Sequence, residues 1–159
     1  MNIADILSQN LVLTTLHATN KEDVLLEMAE AVCANNQLPI LASELQHALI
    51  RREELGSTGV GEGVAIPHTE IPGLDQLIAC FGRPQQGIAF NAVDQQPVFL
   101  IFMLLVPEHA AKIHHLRALA KISRLLRNPA FRHTLLHTDD PQELYRALVQ
   151  EEQNVQTGG

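Results

Sequence analysis

Val98-Phe99-Leu100-Ile101-Phe102-Met103-Leu104-Leu105-Val106 decides the fold. The run is rich in β-formers and apolar without alternation, so it predicts a strand covered on both faces. It reaches about half the length a bilayer crossing needs and is closed by Pro107. Working outward, residues 77–82 and 11–13 read as further strands. Helical patterns fill the intervals. Residues 3–7 suit a short helix. Asn20 is a helix N-cap with Asp23 at the third position, followed by Val24, Leu25, Met28 and Val32 at helical spacing to about residue 35. Ser43 with Gln46 has the spacing of a capping box and opens a helix through Leu45, Leu49 and Arg52 that Gly56 stops. Residues 110–127 form a long helix that Asn128-Pro129 ends. Asp140, Pro141 and Glu143 start the last one. Strands interleaved with helices around a buried strand predict an α/β three-layer sandwich, a sheet flanked by helices on both faces. Residues 1–150 are expected to form a single domain and 151–159 a flexible C-terminal tail.

Composition narrows the function. The 159 residues, 46% hydrophobic and 18% charged, exclude a disordered chain or a coiled coil. Aromatics are 4% with no Trp, which removes the stacking platforms of single-strand nucleic-acid binders. Eleven Lys and Arg against 18 Asp and Glu give a net charge of -7, and no basic stripe is visible along the sequence. Neither nucleic acid nor membrane is therefore an expected partner. Cys33 and Cys80 stand far apart, outside any Cys-x-x-Cys pattern, as in a reducing cytosol. The first residues, Met1-Asn2-Ile3-Ala4-Asp5, lack the basic region of a signal peptide. A soluble cytoplasmic protein is expected.

The chemistry-bearing stretch is Arg52-Glu53-Glu54-Leu55-Gly56-Ser57-Thr58-Gly59-Val60-Gly61-Glu62-Gly63-Val64-Ala65-Ile66-Pro67-His68-Thr69. Alternating glycines admit positive φ and let backbone amides approach an anion. Taken alone they equally suit a mobile surface loop. No Lys-Ser/Thr follows them, and their spacing is not Gly-x-Gly-x-x-Gly, so both nucleotide motifs are excluded. Ile66-Pro67-His68 adds more: a buried strand ends on a histidine, where α/β sheets bind ligands, and an imidazole there can be nucleophile, base or metal ligand. On the long helix His115 falls on the apolar face with Leu119, Ile122 and Leu126, while His114 points towards Lys121 and solvent. By itself His115 also fits a core histidine.

Together these residues resemble the enzyme IIA family of the bacterial phosphoenolpyruvate-dependent phosphotransferase system, fructose/mannitol class. The likeness rests on Arg52-Glu53, Ser57-Thr58, the run Gly63-Val64-Ala65-Ile66-Pro67-His68, and the helical His115-Leu116-Arg117-Ala118-Leu119-Ala120. It covers nearly the whole chain. Ile3-Ala4-Asp5-Ile6-Leu7, and the segment from Gln96-Pro97-Val98 to Pro107-Glu108, lean towards the stand-alone nitrogen-regulatory branch. The resemblance implies a mixed β-sheet and an IIA type-2 domain. It also implies that His68 accepts a phosphoryl group, on Nε2, from the phosphohistidine of an HPr-like carrier. His115 would be an orienting hydrogen-bond donor and Arg52 a source of positive charge. Ser57, Thr58, Gly61 and Gly63 are the expected phosphate-binding residues. Thr69 replaces the small residue of many relatives, and Glu62 and Glu70 flank the site.

No cofactor and no metal is expected, because phosphoryl transfer needs chiefly positioning and stabilisation of oxygens. Regulatory target proteins or a IIB subunit are the expected downstream partners, and the chain is expected to be a monomer or weak homodimer. Two readings compete. One is a sugar-transport IIA serving a separate IIB subunit, whose cysteine nucleophile has no counterpart in the settings of Cys33 or Cys80. The other is a metal-dependent hydrolase built on His68, Glu108, His109, His114 and His115, although His109 and His114 lack the i, i+4 spacing of a zinc helix.

Overall fold

The computed structural model describes residues 2–110 and 112–158. Six strands form one mixed sheet: β1 (Val12–Leu16), β2 (Gly59–Gly61), β3 (Val64–Ala65), β4 (His68–Ile71), β5 (Ile78–Pro84) and β6 (Leu100–Pro107). The helices are α1 (Ile3–Ile6), α2 (Lys21–Asn35), α3 (Ala42–Glu54), α4 (Lys112–Leu126), α5 (Pro129–His137) and α6 (Pro141–Gly158). The strand order is β1-β5-β6-β3-β2, with β4 also paired to β6. Every residue of β6 is buried, as its unbroken apolar run requires. Phe99, just before it, is 40% exposed and lies outside the strand. Helices α2 and α3 pack together, and α6 packs against α1, α4 and α5, giving a helical layer on each face. No described helix is long and apolar enough to cross a membrane.

On one side β6 pairs antiparallel with β5. On the other, β3 and β4 follow each other along the same edge, parallel to β6. Val64 pairs with Leu100 and His68 with Leu104, the same offset of 36 residues, so the register survives the break between them. Proline explains the break: Pro67 has no N–H to give the ladder, though its carbonyl still accepts from Leu104 N–H at 2.9 Å. His68 therefore opens a resumed strand in the middle of this edge, not the end of a strand as the sequence predicts.

Several local signals act as read. The Asn20 side chain accepts from Asp23 N–H at 2.9 Å. Gly56 leaves α3 at a φ of 149°. Four expectations need correction. Helix α3 starts two residues before the predicted pairing of Ser43 with Gln46: Leu41 N–H donates to Glu44 Oε1 at 3.0 Å, and the Gln46 amide reaches across to the Glu22 carbonyl. Asn128-Pro129 ends α4 but also starts α5, with Asn128 Oδ1 accepting from Ala130 N–H at 3.0 Å; the Arg83 guanidinium then holds the carbonyls of Leu135 and Thr138 at its far end. The predicted tail at 151–159 begins too early. Helix α6 continues to Gly158, because the buried Glu152 carboxylate accepts from Ile3 N–H at 2.8 Å and pairs with Lys121 Nζ at 2.9 Å. Finally, a basic stripe does exist. His114, Arg117, Lys121 and Arg124 recur on α4 at spacings that stack them on one helical face, which is hidden when residues are read in line.

Candidate functional site

The Gly-rich stretch folds first into a hairpin. Glu62 (φ 57°) and Gly63 (φ 75°) join β2 to β3, and positive φ at both central residues is what a two-residue type I′ turn demands. The Gly63 carbonyl accepts from Phe99 N–H and Leu100 N–H, and Glu62 N–H donates to Asp94 Oδ2 at 3.0 Å. Gly61 packs beside Asp94 and Val93. The glycines thus shape a sheet edge against the 92–99 loop.

Upstream of the turn, the Ser57 hydroxyl donates to the Phe90 carbonyl and accepts from Gly59 N–H. Thr58 N–H donates to both oxygens of the buried Glu53 carboxylate at 3.2 Å, and Lys21 Nζ pairs with Glu53 at 2.8 Å. The Thr58 carbonyl accepts from Ile66 N–H at 3.0 Å. Glu53 and Lys21 therefore fix the segment that delivers His68.

At His68, Nδ1 lies 2.9 Å from the Ile66 carbonyl oxygen. A carbonyl can only accept, so the neutral ring carries its proton on Nδ1 and keeps a lone pair on Nε2. Burial lowers the His68 pKa, helped by the charges of Arg52 and His115 and opposed by the Ile66 carbonyl and Glu53. Burial and the neighbouring positive charges thus favour the neutral ring over the imidazolium.

His115 approaches from the second turn of α4. Its ring stands edge-on to His68, with centroids 5.3 Å apart and planes at 73°. His115 Nε2 is buried with no hydrogen-bond partner among the described residues. Burial, with Arg52, lowers its pKa against the pull of Glu70. Arg52, in the last turn of α3, donates from Nη1 to the Gly56 carbonyl at 2.9 Å. His68, His115 and Arg52 line one open cleft of about 1120 Å³, together with Arg51, Thr69 and Glu70. Leu55 at its rim is 84% exposed, and Ile113 and Leu116, on either side of His115 in sequence, are 51% and 60% exposed. Ile40, Ala48 and Leu55 make part of the cleft's lining apolar, while Ile113 and Leu116 lie outside it.

The structure brings together three of the seven expected site residues and separates the other four. Ser57, Thr58, Gly61 and Gly63 do not line this cleft. Their polar groups are committed to the hairpin and its anchors, apart from the buried Thr58 Oγ1, which has no partner among the described residues. Glu62 points away too and pairs with Arg132 at 3.5 Å. The residue overlooked as a functional support is Glu53, whose only sequence signal is its place beside Arg52 at a helix end. Among the described residues no group of three or more His, Cys, Asp or Glu is arranged to hold a metal ion. Cys80 is buried, which pushes its thiol up to about 12, and burial also raises Cys33. Neither is an activated nucleophile.

Comparison with known proteins identifies relatives over most of the chain. The sequence model of the family described as "Phosphoenolpyruvate-dependent sugar phosphotransferase system, EIIA 2" matches residues 5–151. A nitrogen regulatory protein of Bradyrhizobium diazoefficiens is 37% identical over 152 residues, covering 94% of this chain and 95% of that protein. The fructose-specific EIIABC component of Bacillus subtilis is 32% identical over 139 residues, 87% of this chain but 22% of that protein. Among solved structures, the nitrogen regulatory protein IIA-Ntr from Neisseria meningitidis superposes with a TM-score of 0.85 at 32% identity, covering 92% of this chain and 98% of that one.

Proposed function

For a chain that belongs to the phosphoenolpyruvate-dependent sugar phosphotransferase system EIIA 2 family, we propose that His68 is the phosphoryl acceptor and that its phosphorylation state is read by regulatory partner proteins. The observation that carries this reading is the 2.9 Å contact from Nδ1 to the Ile66 carbonyl, which leaves the Nε2 lone pair unused in an open cleft. The Nε2 lone pair attacks the phosphorus of a carrier's phosphohistidine. The new N–P bond forms as the carrier's N–P bond breaks, and the carrier's ring nitrogen recovers its electron pair. Nδ1–H stays on His68, where the Ile66 carbonyl stabilises the positive character the ring gains. Arg52 and His115 supply charge and a donor to the phosphoryl oxygens in a loose, in-line transition state.

The donor is an HPr-like histidine phosphocarrier. A protein donor suits the open mouth with its exposed Leu55, since its histidine must come within bonding distance of His68. The regulatory reading is supported by near end-to-end coverage of a relative named a nitrogen regulatory protein. The fructose-specific component, of which this chain spans 22%, supports the alternative of handing the phosphoryl group to a IIB subunit. The chain acts in the cytoplasm, where such carriers are phosphorylated.

The test is to mix the chain with phosphoenolpyruvate, enzyme I and the matching carrier. One acid-labile phosphoryl group is expected, mapped to His68 by mass spectrometry and absent from His68→Ala. An acid-stable phosphate on Ser57 or Thr58 would overturn the assignment. Rapid onward transfer to the IIB subunit of a separate permease would replace the regulatory role with transport.

A further inference from the structure

The charge of this protein is unevenly distributed. Between Glu108 and Asp139 the chain has no carboxylate, yet residues 112, 117, 121, 124, 127 and 132 are six of its eleven Lys and Arg. Four basic side chains of α4, His114, Arg117, Lys121 and Arg124, stand three, four and three residues apart and so form one row. At the helical rise the row is about 15 Å long. It lines a groove of about 600 Å³ between α4 and α6, separate from the His68 cleft. Leu77, Ala120, Leu125 and Val155 supply the apolar part of the lining. Glu152, the one carboxylate there, is engaged by Lys121 and by Ile3 N–H. Arg117 and Arg124 are exposed, and among the described residues neither forms an ion pair.

We propose that the α4–α6 groove is a docking surface for an acidic amphipathic segment of a partner protein, bound along α4. Arg117, Lys121 and Arg124 lie in a line and do not converge on a point, which matches carboxylates repeated along a segment better than one phosphate group. The apolar lining takes the hydrophobic residues of the same segment, as in helix-in-groove recognition. In a protein with net charge -7, a row of cations on one helix attracts an acidic partner, and the surrounding negative charge favours one orientation. Among the described residues no Phe, Tyr or Trp lines the groove, so it offers nucleic-acid bases no large stacking platform. His114 borders this groove and His115 the phosphoryl cleft, so one turn of α4 serves both.

The experiment titrates the full, isotope-labelled chain with a synthetic 15-residue helical peptide bearing a Glu row beside a Leu row. Saturable NMR shifts are expected at Ala120, Leu125 and Val155. The double variant Arg117→Glu/Arg124→Glu should lose at least about tenfold in affinity, and a peptide with Lys in place of Glu should bind that variant better than the original chain. Phosphoryl acceptance by His68 should be unchanged in the variant, so failure here is distinct from failure of the acceptor assignment. Four results would overturn the proposal: no saturable shift by about 1 mM peptide, shifts centred on the His68 cleft, equal affinity for the acidic and basic peptides, or tighter binding of a thymidine oligonucleotide or inorganic pyrophosphate. Self-association that disappears in the double variant would assign the groove to a second copy of the chain and would overturn it as well.

Discussion

Replacing His115 separates its two readings, because the structure gives it a specific unmet need. Its Nε2 is buried, has no hydrogen-bond partner among the described residues, and belongs to a ring whose centroid is 5.3 Å from that of His68. An orphaned buried polar atom costs about 1–3 kcal/mol, a cost that an acceptor or donor arriving beside it would relieve. A phosphoryl oxygen carried by His68 Nε2, as proposed, would be such a group. His115→Ala removes the donor from the transition state, where one oriented donor to a developing charge is worth about 2.7–4 kcal/mol, or roughly 10²–10³ in rate. His115→Gln keeps an N–H on a side chain of similar reach and should recover much of that loss. The assay is rapid-quench transfer from a pre-phosphorylated carrier, with circular dichroism confirming the fold of each variant. His68→Ala should give no transfer at all. Wild-type rates in both His115 variants would refute the reasoning and leave a histidine that merely packs against its helical neighbours. Equal and complete loss in both would refute the donor role in favour of proton transfer, because Gln can donate but cannot titrate.

The lowered pKa of His68 predicts a pH profile of definite sign. Since only the neutral ring attacks, acceptance should stay level as pH falls to the ordinary imidazole value of 6.5 and decline below it. Arg52→Gln removes a charge that holds the pKa down, so its decline should begin at higher pH; an unchanged midpoint would contradict the electrostatic role. Glu53→Ala strips Thr58 N–H and Lys21 of their shared partner. A loss of about 2–3 kcal/mol is expected in urea unfolding, below the range for fully buried pairs because Lys21 keeps some solvent contact; a change under about 0.5 kcal/mol would contradict the anchoring role. Gly82→Ala would set a methyl 2.5 Å from Leu16 Cδ1 and 3.0 Å from Met28 Cε, so it should destabilise by about 1–3 kcal/mol with phosphoryl acceptance retained.

What the sequence made legible depended on how local each signal is. The buried run 98–106 needed no partner to be read, because apolarity on both faces is a property of the strand itself. The Asn20 cap and the apolar stripe of α4 are equally local. The Gly-rich stretch misled because Gly61-Glu62-Gly63 satisfies two descriptions, an anion cradle and a tight hairpin turn. Only the pairing of β3 with β6 decides between them. Asn128-Pro129 carried the same cap-then-proline signature as Asp140-Pro141, but its position after a long helix made it look like a stop alone. The extent of α6 could not be read, because the reason for it is tertiary: Glu152 finds its partners on α1 and α4.

Pro67 ties the legible part of the site to the hidden part. In sequence it is a restriction next to a histidine. In the fold it removes one donor from the edge along β6 while the register continues across it unchanged. The strand thus pauses for the two residues before His68 and then resumes, so the histidine backbone is held by the ladder. Just before it, the Ile66 carbonyl is turned to the His68 ring in place of a neighbouring strand. The imidazole proton is drawn to Nδ1 by a main-chain atom two residues away, in a segment clamped from behind by the bond from Ile66 N–H to Thr58 and by the Glu53 carboxylate under Thr58 N–H. Which ring nitrogen keeps its lone pair therefore rests on backbone geometry set by one proline and one buried glutamate. Neither residue touches the proposed acceptor atom, Nε2, and together they make an otherwise ordinary edge histidine present a lone pair to the cleft.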